Sequence, residues 1–194
     1  MTKDQALKIL EELGNSPNMT KHALACGFVM CKLCDYLSSR PSQPSQSSEP
    51  FNPNDWEIVG LLHDADYELT NKSLDLHTEE TTKKLKEAGV NQSIIDAIRG
   101  HCDKFPRDTL MAKSIYAADE LTGLIVACAL VQPDKKLKSV SVESVMKKFK
   151  DNSFARGASR DQIKTCETEL DISLEEFINL NLQAMIDHAE ELGL

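Results

Sequence analysis

The sequence predicts an all-α protein, and three observations carry that reading. Aromatic residues make up 5% of the 194 positions, with only 8 Gly and 7 Pro, which argues against the turn-rich spacing of a β-sandwich or barrel. Apolar residues recur every three to four positions through most of the chain, the period of one helix face. No stretch alternates apolar and polar residues as a half-buried strand does. The length fits one domain spanning 1–194, long enough to bury a core without staples.

The elements follow in chain order. Residues 4–13 set Ala6, Leu7, Leu10 and Leu13 on one stripe. A second helix, capped by Asn18 or Thr20, runs to about Ser38 with Leu24, Phe28, Cys31 and Leu37 inward. Pro41 to Pro50 is rich in Pro and Ser and offers no apolar area, so about 40–53 reads as a flexible loop inserted within the domain. Asn54 caps the next helix, whose apolar side is Trp56, Ile58, Val59, Leu61 and Leu62 and which ends at His63-Asp64. Thr78 to Ala88 is helical and closed by Gly89, and Ser93 to His101 follows. Pro106 breaks the chain before a long apolar helix from Leu110 to Val131, stopped by Pro133. Gly123 inside it costs about 1 kcal/mol relative to Ala unless it serves close packing. Helices near 141–150 and 159–168 precede a last one from Ser173 to Leu192, opened by the capping box Ser173-Leu-Glu-Glu176. The chemistry-bearing core is thus about 18–131, with a C-terminal helical extension over 141–194.

Charge and cysteine usage narrow the function. The formal charge is −9, from 22 basic and 31 acidic residues, and such a surface repels phosphate backbones and anionic membranes. Neither a nucleic-acid polymer nor a membrane is therefore an expected partner. No apolar run approaches the roughly 20 residues of a membrane span. The first 13 residues carry Lys3, Asp4, Lys8, Glu11 and Glu12 and lack the apolar centre of a signal peptide. With several of the six cysteines inside apolar stripes, a reducing, cytoplasmic setting is expected. The Asn-x-Ser/Thr triplets at Asn18, Asn71 and Asn91 then read as coincidences. Cys31-x-x-Cys34 lies within a helical pattern and has no second pair at zinc-ribbon spacing, so it reads as two helix-face thiols. Lys135-Lys136-Leu137-Lys138 reads as a solvated connection.

Five histidines are present, and four of them fall in a series with aspartates: His22, His63-Asp64, His77, His101 and Asp119. Asp119 interrupts the apolar helix between Ile115 and Leu130. A buried ionised carboxylate needs a partner, and a metal ion is one of the few that suffice; Arg99 or Lys113 is the alternative. His63 closes an apolar run and is costly to bury unless its ring nitrogens are engaged. Imidazole with carboxylate suits Fe, Mn, Zn, Ni or Co far better than calcium. His188 lies among Asp187, Glu190 and Glu191 on a solvated face and is left out of the site.

Gly60-Leu-Leu-His-Asp-Ala-Asp66 and Tyr116-Ala-Ala-Asp119, within a His…His-Asp…Asp order over Thr20 to Leu130, resemble the HD superfamily of metal-dependent hydrolases. The resemblance implies an HD-type helical bundle with additional C-terminal helices. It places metal ligands on His22, His63, Asp64 and Asp119. His77 and His101 stand where members with two metals have two more histidines. Two divalent ions (Fe, Mn, Zn, Ni, Co or Mg) are implied, with Asp64 bridging them. His22, His63 and Asp119 would serve one ion, and His77 and His101 the other. Asp64, His77 and His101 are the implied catalytic residues, and His77 has the further options of contacting a phosphate or acting as the acid. The chemistry implied is attack of a metal-activated water on a phosphomonoester or phosphodiester, nucleotides included.

Lys21, Lys72, Arg99, Lys104, Arg107 and Arg156 are the candidates to hold such a small anionic substrate. Asp66 and Glu68 are read as orienting water or ligands. Ser153-Phe-Ala-Arg-Gly157 is similar to small stand-alone members and is expected to carry no chemistry. Two other functions share this pattern: a diiron oxygenase of the same fold, and a non-catalytic metal-binding helical module.

Overall fold

The computed structural model describes residues 1–40 and 51–194; the loop expected at Pro41–Pro50 lies outside the described residues. The described residues form ten α-helices and no strand. These are α1 (Lys3–Glu12), α2 (Pro17–Ser38), α3 (Pro53–Leu62), α4 (Glu79–Glu87), α5 (Gln92–Gly100), α6 (Leu110–Leu130), α7 (Val142–Phe149), α8 (Arg160–Glu169), α9 (Leu174–Asp187) and α10 (Ala189–Leu192). The all-α class is as the periodicity predicts. No helix among the described residues is long and apolar enough to cross a membrane.

Several boundaries differ from the sequence reading, each for a local reason. Ser16, not Asn18 or Thr20, caps α2: its hydroxyl accepts the Met19 N–H, and Pro17 takes the first helical position. Asn52, not Asn54, caps α3 in the same way, ahead of Pro53. Proline suits the first turn because its missing N–H would have no helical partner there. Ser173 accepts the Glu176 N–H without the reciprocal half of a capping box, and the last helix breaks at His188 instead of running through to Leu192. His188 stacks on Phe28, ring centroids 3.8 Å apart, while its Nδ1 bonds Glu191; it is half-exposed, not simply solvated. The lysines around 135–138 are exposed, but Leu137 between them is buried and anchors the connection.

α2 and α6 are the central helices and lie side by side. α2 is buried beyond a single stripe, since Ala23, Cys26, Met30, Leu33 and Leu37 all face the core. α6 buries twelve residues, from Met111 to Ala129. α3 crosses α2 at Gly27 and Gly60. A Cβ on Gly60 would sit 2.5 Å from the Cys26 carbonyl oxygen and 2.6 Å from the Gly27 nitrogen, so only glycine permits this approach. Gly123 meets nothing within 4 Å and serves no such contact. Each fully buried Leu or Ile along these helices contributes about 1.5–3 kcal/mol.

The C-terminal helices pack back onto this core, α8 on α6 and α9 on α2. Arg160, the first residue of α8, organises the segment before it. Its guanidinium donates to the carbonyls of Ala155 (2.7 Å), Ala158 (2.7 Å), Phe154 (2.6 Å) and Phe149 (3.3 Å), with longer contacts to Lys148 and Asp151. Arg160→Ala is expected to cost about 3 kcal/mol, because the carbonyls nearest the buried stem lose their donor. Thermal denaturation would show it as a fall of roughly 6–12 °C.

Candidate metal centre

Each candidate ligand has a defined structural origin. His22 projects from the second turn of α2, and His63 caps the C-terminus of α3. Asp64 opens the irregular stretch between α3 and α4, and His77 lies near its end. His101 caps α5, and Asp119 lies midway along α6. The fold brings all six together. His22 Nε2 lies 3.3 Å from His63 Nε2 and 3.1 Å from Asp119 Oδ1, and His63 Nε2 lies 3.4 Å from that same oxygen. His77 Nε2 and His101 Nε2 are 3.0 Å apart, at 3.1 and 3.2 Å from Asp64 Oδ1. The other oxygen, Asp64 Oδ2, faces His22 and His63 at 3.9 and 3.8 Å.

The outward nitrogens fix what the inward ones present. His63 Nδ1–H donates to the Gly60 carbonyl at 2.8 Å, and His101 Nδ1–H donates to the Ile98 carbonyl. His77 Nδ1–H donates to Asp66 Oδ1 at 3.0 Å. The Thr122 hydroxyl donates to the Asp119 carbonyl at 2.7 Å, which leaves its oxygen to accept from His22 Nδ1 at 3.3 Å. All four rings are thereby assigned the Nδ1–H tautomer, and four Nε2 lone pairs converge with carboxylate oxygens on two points. Lone pairs do not satisfy one another; such a cluster calls for cations. The donor set of imidazole and carboxylate, with each His held by a partner behind it, fits borderline divalent ions.

Electrostatics agrees. Burial disfavours a charged His63, yet Asp64, Cys26 and Asp119 outweigh it and lift its pKa to about 10. Burial likewise opposes charge on His22 and His77; Cys26 and Asp119 raise the first well above the usual range, and Asp64 and Asp66 raise the second. Asp64 and Asp119 are held low against burial, Asp64 by His63, His101 and His77 and Asp119 by His22 and His63. Without ions, protons supply the positive charge this cluster demands, and a metal must displace them.

The sign of the pH dependence follows. His63 titrates higher in the folded than in the unfolded state, near 6.5, so its stabilisation is complete below about pH 6.5 and is lost as pH rises through about 10. Asp64 and Asp119 are lowered, so their contribution holds above about pH 4 and is lost on acidification. Metal-free protein is therefore expected to melt at lower temperature at pH 9 than at pH 7, and metal-loaded protein to resist that change. Calorimetry of both forms checks it.

The neighbouring candidates separate into two groups. Asp66 is fully buried; besides His77 it accepts the N–H groups of Thr78 at 2.7 Å and Thr81 at 3.1 Å. It so orients His77 and caps α4, whose own cap residue Thr78 is left-handed (φ 69°) with no side-chain cap bond. Glu68 orients no ligand: its carboxylate accepts the Ser16 N–H and hydroxyl at 2.7 and 2.9 Å and ties the start of α2 to the irregular stretch. Asp119 pairs with histidines, while Arg99 pairs with Glu79 and Thr82. Lys104 is held by Glu79 and the carbonyls of Asp75 and His77. Arg107 pairs with Asp103 and Glu169 and lies over the Tyr116 ring. Lys21, Lys72 and Arg156 remain exposed, Lys72 with its Nζ 5.9 Å from the centre of the Tyr67 ring.

Sequence reasoning missed Cys26, Cys102 and Thr122. Cys26 groups with His22, His63 and Asp119, and Cys102 with His77 and His101, as metal-capable donors. The Cys26 sulfur is 3.9 and 3.8 Å from the two His22 nitrogens, so it lies against the ring and not on the Nε2 lone-pair axis. Its four-residue spacing from His22, one helix face, was the available signal. Cys31 and Cys34 belong elsewhere: burial lifts their thiols to about 12 and about 11, far from the range of a reactive thiolate.

A cleft of about 440 Å³ opens onto the ligands. Its walls include Asp64, His77, His101 and Asp119, together with Tyr67, Leu74, Cys102, Asp103, Glu120, Gly157 and Gln162. The segment expected to carry no chemistry therefore reaches the site through Gly157. Neither a curated protein nor a solved structure matches the chain. Residues 19–124 match the HD domain family, and that span covers His22, His63, Asp64, His77, His101 and Asp119. Over more than half its length, with two clusters of donors able to hold metal ions, the chain belongs to the HD domain family.

Proposed function

We propose that this protein is a metal-dependent phosphohydrolase with two divalent ions at one site. The observation that carries the reading is Asp64, whose two oxygens face two separate histidine pairs. His22, His63 and Asp119 would hold one ion and His77 and His101 the other, with Asp64 shared. Bound there, divalent ions would acidify a water toward neutral pH and polarise a phosphoryl oxygen.

The chain supplies positioning and charge. Asp66, Gly60, Ile98 and Thr122 lock the four rings so that no ligand must reorganise when substrate arrives. His77 has Nδ1 committed to Asp66 and Nε2 to the Asp64–His101 cluster, which favours a ligand role over that of proton donor. The burial of His63, His77 and His101 strengthens each interaction by excluding water.

Metal analysis with phosphate release from a panel of phosphomonoesters and phosphodiesters tests the proposal. About two ions per chain and metal-dependent release of phosphate are expected. His77→Ala is expected to retain about one ion. Oxygen consumption by iron-loaded protein without phosphate release would overturn hydrolysis in favour of a diiron oxygenase. Folded protein that takes up neither manganese nor iron would leave a non-catalytic module.

A further inference from the structure

The HD-matched residues do not complete the cleft. Gly157 and Gln162 in its wall lie beyond residue 124, in the segment that Arg160 gathers through backbone carbonyls. Two bonds fix that segment to α6: Ser159 N–H donates to Glu120 at 3.1 Å, and Gln162 Nε2 donates to the Tyr116 carbonyl at 2.9 Å. A Cβ on Gly157 would meet nothing within 4 Å, so a side chain there would enter open space at the cleft wall.

The charges around this space are one-sided. None of the cleft-lining residues is Lys or Arg, whereas Asp103 and Glu120 are acidic. Arg99, Lys104, Arg107 and Arg160 are committed to carboxylates, carbonyls or both. Two divalent ions set against Asp64, Asp66 and Asp119 would leave a single net positive charge. That suffices for one phosphoryl group; a second phosphoryl extending from it would meet no cation among the lining residues, the exposed Lys72, its Nζ 5.9 Å from the centre of the Tyr67 ring, and Arg156 standing outside that lining. Tyr67 and the largely exposed Leu74 offer it apolar surface instead.

We propose that the Arg160-gathered segment 150–162 is the substrate-recognition wall of the cleft, with Gly157 as its specificity-determining position. It selects a substrate bearing one phosphoryl group on an uncharged, partly apolar body over any polyphosphate. This rests on the phosphohydrolase reading above.

Three variants and two anions test it. Calorimetry of metal-loaded wild type should show inorganic phosphate binding more tightly than pyrophosphate. Gly157→Lys places a cation in the wall and should raise pyrophosphate affinity about tenfold, the worth of one charge-assisted contact. Gly157→Leu should raise KM for phenyl phosphate about tenfold while kcat, metal content and melting temperature stay as in wild type, the signature of lost uniform binding. Equal or tighter binding of pyrophosphate by wild type overturns the proposal, and loss of that binding in Arg156→Ala would trace it to the exposed cation next to Gly157. An unchanged KM in Gly157→Leu also overturns it. Protein that holds its ions but releases no phosphate from any ester overturns the hydrolase reading alone, since the order of the two anions still decides what the wall selects.

Discussion

If two ions bind as proposed, Asp64→Asn is expected to lower affinity at both positions together and to abolish phosphate release. Each of the two histidine clusters meets a different oxygen of this one carboxylate. The amide keeps the shape, removes the negative charge and can present only one acceptor. Losing a charge-assisted interaction of about 1.5–3 kcal/mol at each ion gives roughly 10²–10⁴-fold weaker binding for the pair. Asp66→Asn makes the sharp contrast. It stands behind His77 and caps α4, and touches none of His22, His63 and Asp119, so it should weaken the His77/His101 position about 10–100-fold and leave the other ion in place. Metal-to-protein ratios and anomalous-scattering peaks for the two variants, against two wild-type peaks about 3.5–4 Å apart, check both statements.

Gly60→Ala should damage the fold and the site by one displacement. The added methyl would fall 2.5 Å from the Cys26 carbonyl oxygen, a backbone atom that cannot swing away as a side-chain tip can. α3 must therefore retreat from α2, and overpacking of this kind costs about 3 kcal/mol. The Gly60 carbonyl is also the acceptor that holds His63 Nδ1. Retreat of α3 pulls His63 away from His22 and Asp119, so the melting temperature should drop by roughly 6–12 °C and metal at that position should fall with it. Gly123→Ala is the matched control. It lies within α6 with nothing near its Cβ and should stabilise by about 0.5–1 kcal/mol.

The helices, and Asp119 and His63 as costly polar residues in apolar runs, were legible in the sequence because their signals are local; His22, Asp64, His77 and His101 came from the His…His-Asp…Asp order that resembles the HD superfamily. The 3.6-residue period marks α6, and an aspartate inside that period marks Asp119. Two helix starts differ from the sequence reading because Pro17 and Pro53 take the first turn and the capping Ser16 and Asn52 precede them. Glu68 was misread because its partner, Ser16, comes close only once α2 packs against the irregular stretch. The candidate cations could not be ranked for the same reason: Glu79 takes up Arg99 and Lys104 only in three dimensions. Gly157 and Gln162 carry no distinguishing mark in the sequence; the packing of α8 on α6 alone brings them to the cleft.

With ions bound as proposed, the convergence of lone pairs from α2, the α3 and α5 ends, the irregular stretch and α6 would tie survival of the polypeptide to its mineral supply. Only the folded chain gathers these donors, so saturation at a hundred times the dissociation constant would add about 2.7 kcal/mol per ion. In a metal-starved cell the same chain would open more often and be cleared faster by proteases, and its abundance would follow the available cation.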